Sequence, residues 1–403
     1  MRGTGRVIYV FMVLGIILNA VSTYFYQQNL ESIMTEDTNA AWYLSLGLYG
    51  DLLMSVAAVL SVATYSKNFP QYIRFSYWAL LILVTIASLG DLDKMIRFPS
   101  IIYSAKGIGT YLNIGIMFFT ADSFYLKKIL TWFYSLCFIF LLLAFVNISA
   151  VGVASNREQL LYAIREFTIY IIWVFPFFFY QNFAKRYLNT VNYIAFFLLL
   201  LLVISTGSRG YLIIYFLLFI IKIYRQNKFS KSSGIMMFIG IIALIVGVYI
   251  FVVTSDFYQT IDSAVNIFTD RVSDDSRSGQ LIEFFNQYDV GSILTGVGPT
   301  KTWNWSGARG PYGYLDNQYI LITWWAGLPT CLIYLYLLAC SLFKKSYTKV
   351  HVGGKIIITM WVLACAGLAI YVTVSSELYY YFISLIMGML ALSHIKPKKV
   401  ISQ

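Results

Sequence analysis

The run Ile235–Thr254, IMMFIGIIALIVGVYIFVVT, and the stretch after it, SDFYQTIDSAVNIFTDRVSDDSRSGQ to Gln280, decide how the rest of the chain is read. The first part has no charged residue and is as long as the roughly 20 apolar residues that a helix needs to cross hydrocarbon. The second opens a polar island, 255–315, that carries Arg271, Arg277, Lys301 and Arg309. A charged loop of that length between two apolar runs is more than a connector.

Working outward, the same alternation fills the chain. Hydrophobic residues make up 59% of the 403, charged residues 12%, and mean hydropathy is +0.71. No water-soluble core hides that much apolar surface, so the expected class is an all-α polytopic membrane protein. About twelve transmembrane helices are expected, near 7–26, 42–65, 73–89, 101–120, 129–147, 164–183, 191–207, 210–224, 235–254, 317–342, 356–374 and 378–394. They form one integral membrane domain, 1–403, with a large loop, 255–316, between the ninth and tenth.

Charge orients the bundle. With the amino terminus inside and the sides alternating, 19 of the 29 basic residues fall inside, among them Arg2, Arg6, Lys127, Lys128, Lys344 and Lys345. The only acid with them is Asp122, while Asp51 lies within a span. This is the asymmetry of positive-inside insertion. The large loop is then extracytoplasmic and both termini are cytoplasmic. The net charge of +11 follows from that topology and from anionic lipid, and implies no nucleic-acid partner. Cys137, Cys331, Cys340 and Cys365 all lie in spans, so neither a disulfide framework nor a metal-ligand spacing is present. The first apolar run lacks cleavage chemistry and reads as a retained span, with a signal anchor as the alternative. No internal repeat is visible.

Within the loop, Tyr258, Ile261, Val265 and Phe268 recur at helical spacing, as do Leu281, Phe284, Phe285 and Tyr288. They predict two short helices, either lying on the membrane surface or packed on each other. The segments 291–301 and 303–314, rich in Gly, Pro and aromatics, read as loops.

Several residues carry candidate chemistry. Arg209, in STGSRG at 205–210, is either a phosphate-binding fork or a snorkelling residue at the end of a span. Arg271, Arg277 and Arg309 share its side of the membrane and, with it, would surround a diphosphate if the loop folds back. Asp316 is an N-cap, a carboxylate able to take a proton from a sugar hydroxyl, or both. Asn317 would orient a hydroxyl. Trp303 and Trp305 are interface anchors or platforms for sugar rings. Asp91 and Asp93 read as a solvated turn, with acceptor binding as the other reading. The only histidines, His351 and His394, fall on the cytoplasmic side.

Three blocks together resemble the bacterial O-antigen polymerase and O-antigen ligase superfamily. They are STGSRG at 205–210, SRSGQLIEFF with Arg277 followed by LTGVGP at 294–299, and LDNQYILITWWAGLPT with Asp316, Asn317, Gly327 and Thr330. The resemblance spans roughly 200–335 and implies a GT-C-like bundle in the bacterial cytoplasmic (inner) membrane. It implies a metal-independent glycosyltransferase, without cofactor, whose donor is an undecaprenyl-diphosphate-linked oligosaccharide. Catalytic roles would fall to Asp316, Arg209 and Arg277. Substrate binding would fall to Arg271, Arg309, Asn317, Lys301, Trp303 and Trp305. Membrane lipid and a chain-length regulator protein would be partners. The closest activity is repeat-unit polymerisation into a surface polysaccharide such as O-antigen. The ligase branch has histidine where this chain has Asp316. A ligase and a polysaccharide flippase or transporter are the alternative expectations.

Overall fold

The computed structural model describes residues 2–29, 41–98, 101–104, 106–151, 157–180, 186–206, 219, 276–306, 311–313, 315, 317–343, 358–359, 362–363 and 376–393. Those residues are almost entirely helical. Five helices are long and apolar enough to cross a membrane: Gly3–Gln28, Trp42–Asn68, Gln71–Arg97, Ser123–Ala150 and Ala163–Tyr180. The expectation of twelve spans is met only to that extent. The runs expected at 210–224, 235–254 and 356–374 lie almost wholly outside the described residues. The chain divides into two compact units, one of 1–26, 38–133 and 276–403 and one of 27–37 and 134–275.

The first unit begins with α1 (Arg2–Gln28) and α2 (Ala41–Tyr65). They approach closely because glycine faces glycine. A Cβ on Gly15 would lie 3.0 Å from the Gly50 carbonyl, and one on Gly50 equally near the Gly15 carbonyl. In lipid, where apolar burial does not drive helices together, such close packing is a main source of association. Helix α3 (Gln71–Ser88) starts after Pro70, whose fixed φ suits a helix entrance. It continues through a 3-10 turn at Leu89–Asp91 into α4 (Leu92–Arg97), so the outer turn expected around Asp91 is helical.

The segment 101–120 differs from a plain membrane helix. A turn precedes the single-turn α5 (Ile108–Leu112), and a nine-residue 3-10 helix, Asn113–Ala121, follows. A 3-10 helix rises about 2.0 Å per residue against about 1.5 Å in an α-helix. The combined piece therefore reaches about 25 Å, close to a membrane crossing, with fewer residues than an α-helix needs. Asn113 through Thr120 are all buried, packed between α2 and a late helix, Ser376–Leu392. Burial on every side explains why this stretch is apolar all round.

The second unit holds most of α6 (Ser123–Val151) with α7 (Arg157–Tyr180) and α8 (Arg186–Thr206), which pack on each other. Phe179 and Phe196 stack with ring centroids 4.4 Å apart. The Tyr134 hydroxyl donates to Asn192 at 2.5 Å, so the aromatic packing there has one polar fixing point.

The described part of the large loop belongs to the first unit. It contains α9 (Ser276–Gln287), α10 (Val290–Thr295) and a two-residue hairpin, β1 (Trp303–Asn304) with β2 (Pro311–Tyr312). The strands are antiparallel, pairing Trp303 with Tyr312 and Asn304 with Pro311. Segments expected to be loops at 291–301 and 303–314 thus contain a short helix and a ladder.

The single span expected at 317–342 is instead two helices, α11 (Gln318–Ala326) and α12 (Leu328–Phe343), divided at Gly327. They are not collinear. Along a straight helix Tyr319 and Tyr334 would stand about 22 Å apart at about 1.5 Å per residue; their ring centroids lie 6.3 Å apart. Helix α11 therefore folds back on α12. Helix α12 runs antiparallel to α3, with Tyr72 beside Tyr336 and Cys340, and Gly298 beside Ala87 and Asp91 near Gly327 at the opposite end. The α11 N-terminus consequently points back into the bundle from the hairpin end. The final described helix is α13 (Ser376–Leu392), buried along nearly its whole length.

Candidate functional site

Helix α11 ends at Gly327 with φ 87°, a conformation that side chains other than glycine rarely adopt. The last carbonyls of a helix have no partner within it. Here Val297 N–H donates to the Trp324 carbonyl and Gly298 N–H to the Trp325 carbonyl, each at 3.0 Å. The loop that supplies them also needs positive φ, 83° at Gly296 and 93° at Gly298. Backbone touches backbone at this crossing: a Cβ on Gly296 would lie 2.7 Å from the Gly327 nitrogen, and one on Gly327 2.8 Å from the Leu294 carbonyl. Two sequence blocks singled out above, LTGVGP and the block containing Asn317 and Gly327, are thus joined directly.

At its other end α11 is capped by Asn317, whose side-chain oxygen accepts from Tyr319 N at 2.9 Å and Ile320 N at 3.2 Å. The capping role expected of Asp316 therefore belongs to Asn317, which has the extended backbone of an N-cap. Next to the cap, buried Gln318 donates to the Tyr111 hydroxyl at 2.9 Å. This end of the helix is lined with tyrosines inside the bundle.

Between the glycine crossing and the hairpin, residues 300–306 are strapped almost one by one. Asp91 accepts from Thr300 N at 3.1 Å and from Thr300 Oγ1 at 2.6 Å, and Lys94 Nζ reaches the same hydroxyl at 3.1 Å. Lys106 Nζ donates to the Lys301 carbonyl at 2.9 Å. The Tyr288 hydroxyl donates to the Thr302 carbonyl at 2.9 Å. Gln287 takes both backbone groups of Asn304, and Glu283 accepts from Ser306 N at 2.8 Å and Oγ at 2.5 Å. The Ser306 bonds hold the Glu283 carboxyl below its ordinary range. Lys106 sits in the turn before Ile108, with its ammonium 4.9 Å from the Trp324 ring centroid. Burial pushes it down to about 8, against the opposing pull of the Asp91 carboxylate.

Aromatic rings fill the space under these straps. Phe284, fully buried, meets Trp303 edge-to-face at 5.5 Å and Trp324 at the same distance. Trp303 is 2% exposed, so it is a core residue of the loop subdomain rather than a platform for sugar rings. Trp305 stands 5.1 Å from Tyr312 and is half-exposed at the rim. Lys301 is exposed. Arg277 opens α9, but its side chain lies outside the described set, as do Arg209, Arg271, Arg309 and Asp316 altogether. Of the expected site residues, the structure brings Asn317, Lys301, Trp303 and Trp305 onto one subdomain.

Sequence reasoning gave no role to Lys106, Lys94 or Thr300. Asp91 had been read as a solvated turn; it is mostly buried and anchors the Thr300 loop, 209 residues away. The signal available for Lys106 was a lone lysine in a run otherwise apolar. Lys94 and Lys301 are exposed on either side of Thr300, Lys94 through its bond to that hydroxyl and Lys301 as the next residue in the chain, and the Trp305 indole is half-exposed on the hairpin. Among the described residues no three His, Cys, Asp or Glu side chains gather as a metal site would require.

A second polar cluster lies deeper in the first unit. Asp51 on α2, nearly fully buried, accepts from Asn19 Nδ2 on α1 at 3.1 Å and from the Tyr381 hydroxyl on α13. Asn113 Nδ2 contacts that hydroxyl at 3.5 Å, and Ser55 links Asn113 to Tyr103. No described cationic group lies within 4.0 Å of the carboxylate. Comparison of the chain with protein-family models, with curated proteins and with solved structures yields no match.

Proposed function

We propose that this protein is a glycosyltransferase that joins lipid-linked oligosaccharide repeat units into a surface polysaccharide such as O-antigen. The donor is an undecaprenyl-diphosphate-linked chain on the extracytoplasmic face of a bacterial cytoplasmic membrane. One observation carries this reading. The LTGVGP loop and the helix break at Gly327, two of the three resembling blocks, meet backbone to backbone through Val297 and Gly298. Residues far apart in sequence that build one crossing are what a shared site requires.

In this reading the diphosphate leaving group gathers negative charge as the glycosidic bond breaks, and Arg209 and Arg277, with Arg309 or Arg271, neutralise it. Asp316 receives the proton of the acceptor hydroxyl, and Asn317 holds the helix start beneath it. Lys301 and Trp305 border the sugar path. Activation arrives within the substrate, since nucleotide sugars are absent on that face. The test is incubation of purified protein with a defined lipid-linked repeat unit. Long chains are expected from wild type and only unjoined units from Arg209→Ala or Arg277→Ala. Normal chain length in both variants rejects the assignment.

A flippase or transporter is the second reading. Its one supporting observation is Asp51, an ionisable group inside the helix bundle. Cells lacking a polymerase still display single units at the surface, whereas cells lacking a flippase retain them inside.

A further inference from the structure

Helices α9 and α10 have two dissimilar sides. One side carries Gln280 and Phe284, both buried, and Phe284 meets Trp303 of the hairpin and Trp324. The opposite edge leaves large apolar side chains uncovered: Ile282 at 62%, Phe285 at 49%, Val290 at 72% and Leu294 at 47% exposed. Their spacing, three residues apart on α9 and four on α10, places each pair on one face.

That edge continues onto α12. The Leu294 carbonyl lies against Gly327, so the end of α10 adjoins the start of α12. Helix α12 has no charged residue and exposes Leu328 and Leu332. An uncharged helix that exposes leucine in a membrane protein has hydrocarbon as its surroundings. The apolar edge of α10 extends the same surface. A polar group marks where it ends: Asp289 caps α10 through Ser292 and is exposed. Behind the edge is a cleft of about 180 Å³ whose lining includes Phe285, Ile293, Tyr319, Ile320 and Trp324. That is below the roughly 300 Å³ at which sites for whole small molecules begin. It fits a length of hydrocarbon chain.

We propose that α9 and α10 form an interfacial helix pair seated in the leaflet at the hairpin end, with Ile282, Phe285, Val290 and Leu294 among acyl chains. The cleft behind them takes a hydrocarbon chain from that leaflet. The occupant is membrane lipid, and the inference stands independently of the reaction proposed above. Helices amphipathic in this way lie in the plane of the interface with their apolar face several ångströms into the acyl boundary.

Two measurements test it. The first uses unmodified protein in lipid nanodiscs that contain a phospholipid with a photoreactive group on its acyl chain. Crosslinks are expected within 282–294 and 319–324 as well as on the spans; crosslinks confined to the spans overturn the proposal. The second places a spin label at Ile282→Cys, Phe285→Cys, Val290→Cys or Leu294→Cys after replacement of the native cysteines, with Thr302→Cys, exposed next to the hairpin, as the polar control. Oxygen is expected to reach the four apolar positions several-fold better than a water-soluble nickel chelate does, with the order reversed at the control. Chelate access at all four equal to the control overturns it, and so does shielding from both agents, which signifies a protein partner or second copy. Filling the cleft with Ile293→Trp should lower acyl crosslinking to 319–324 several-fold; no change removes the cleft from the proposal.

Discussion

Two carboxylates, Asp51 and Asp91, show opposite ways of keeping polar chemistry in an apolar bundle. Around Asp51 the neutral groups Asn19 and Tyr381 converge on one buried oxygen, with Asn113 and Ser55 behind them. Around Asp91 the bonds spread outward, through Thr300 and Lys94, to a row of separate straps that ends at Ser306. The inner cluster concentrates its bonds on a single group, so its loss leaves several donors stranded at once. The outer row distributes them, so one loss leaves the others in place. Shape, rather than polar bonding, is the outer region's point of failure, because Gly296, Gly298 and Gly327 allow backbone to meet backbone.

Substitutions at five positions can break or sharpen that contrast. The largest effect is expected from Gly327→Ala, which combines a φ of 87° with a Cβ 2.8 Å from a carbonyl. A loss of about 3 kcal/mol is expected from strain and contact together. Thermal unfolding in detergent would measure it, and a wild-type melting curve would show that the crossing yields easily. Asp51→Leu comes next, at about 2 kcal/mol, because Asn19 and Tyr381 lose a buried acceptor. Asp51→Asn keeps an acceptor oxygen and should unfold close to wild type; equal damage from both variants would make the charge itself essential.

The outer straps should cost less. Asp91→Asn is expected to lose about 1 kcal/mol, since it weakens the Lys94 and Thr300 bonds while four other attachments remain. Limited proteolysis of the 300–306 segment is the readout, and cutting as fast as in Gly298→Ala would contradict the distributed picture. Lys106→Met tests the buried ammonium through pH. Folding lowers its proton affinity from 10.5 to about 8, so between those values the unfolded chain binds more protons. Wild-type stability should therefore rise relative to Lys106→Met as pH climbs through that window. Parallel curves would place the amine in water. The smallest effect belongs to Glu283, whose carboxyl is held below its ordinary range by Ser306. Its contribution is present above that ordinary range and disappears as pH falls through the depressed value, so acid should loosen the Ser306 strap. Glu283→Gln should remove this acid sensitivity in the proteolysis assay.

Much of this architecture was legible in the residues. The Leu281, Phe284, Phe285 and Tyr288 spacing marked a helix, and Phe284 is its buried contact. The glycines of LTGVGP marked special backbone, which the φ values of Gly296 and Gly298 bear out, whereas Gly327 lay unmarked inside an expected single span. The kind of helix at 113–121 was hidden, because hydropathy records burial and says nothing of rise per residue. The sequence put the cap at Asp316; Asn317 takes it, because its backbone is extended and its side-chain oxygen reaches two of the first N–H groups.

Sequence alone determined that this is a helical membrane protein, because 59% apolar residues in long uncharged runs have no other stable solvent than lipid or one another. Tertiary structure decided where that apolar chain turns. A run such as 317–342 is equally apolar whether it crosses once or folds back on itself. The choice was made by Val297 and Gly298, which supply the hydrogen bonds that the broken helix at Gly327 would otherwise lack.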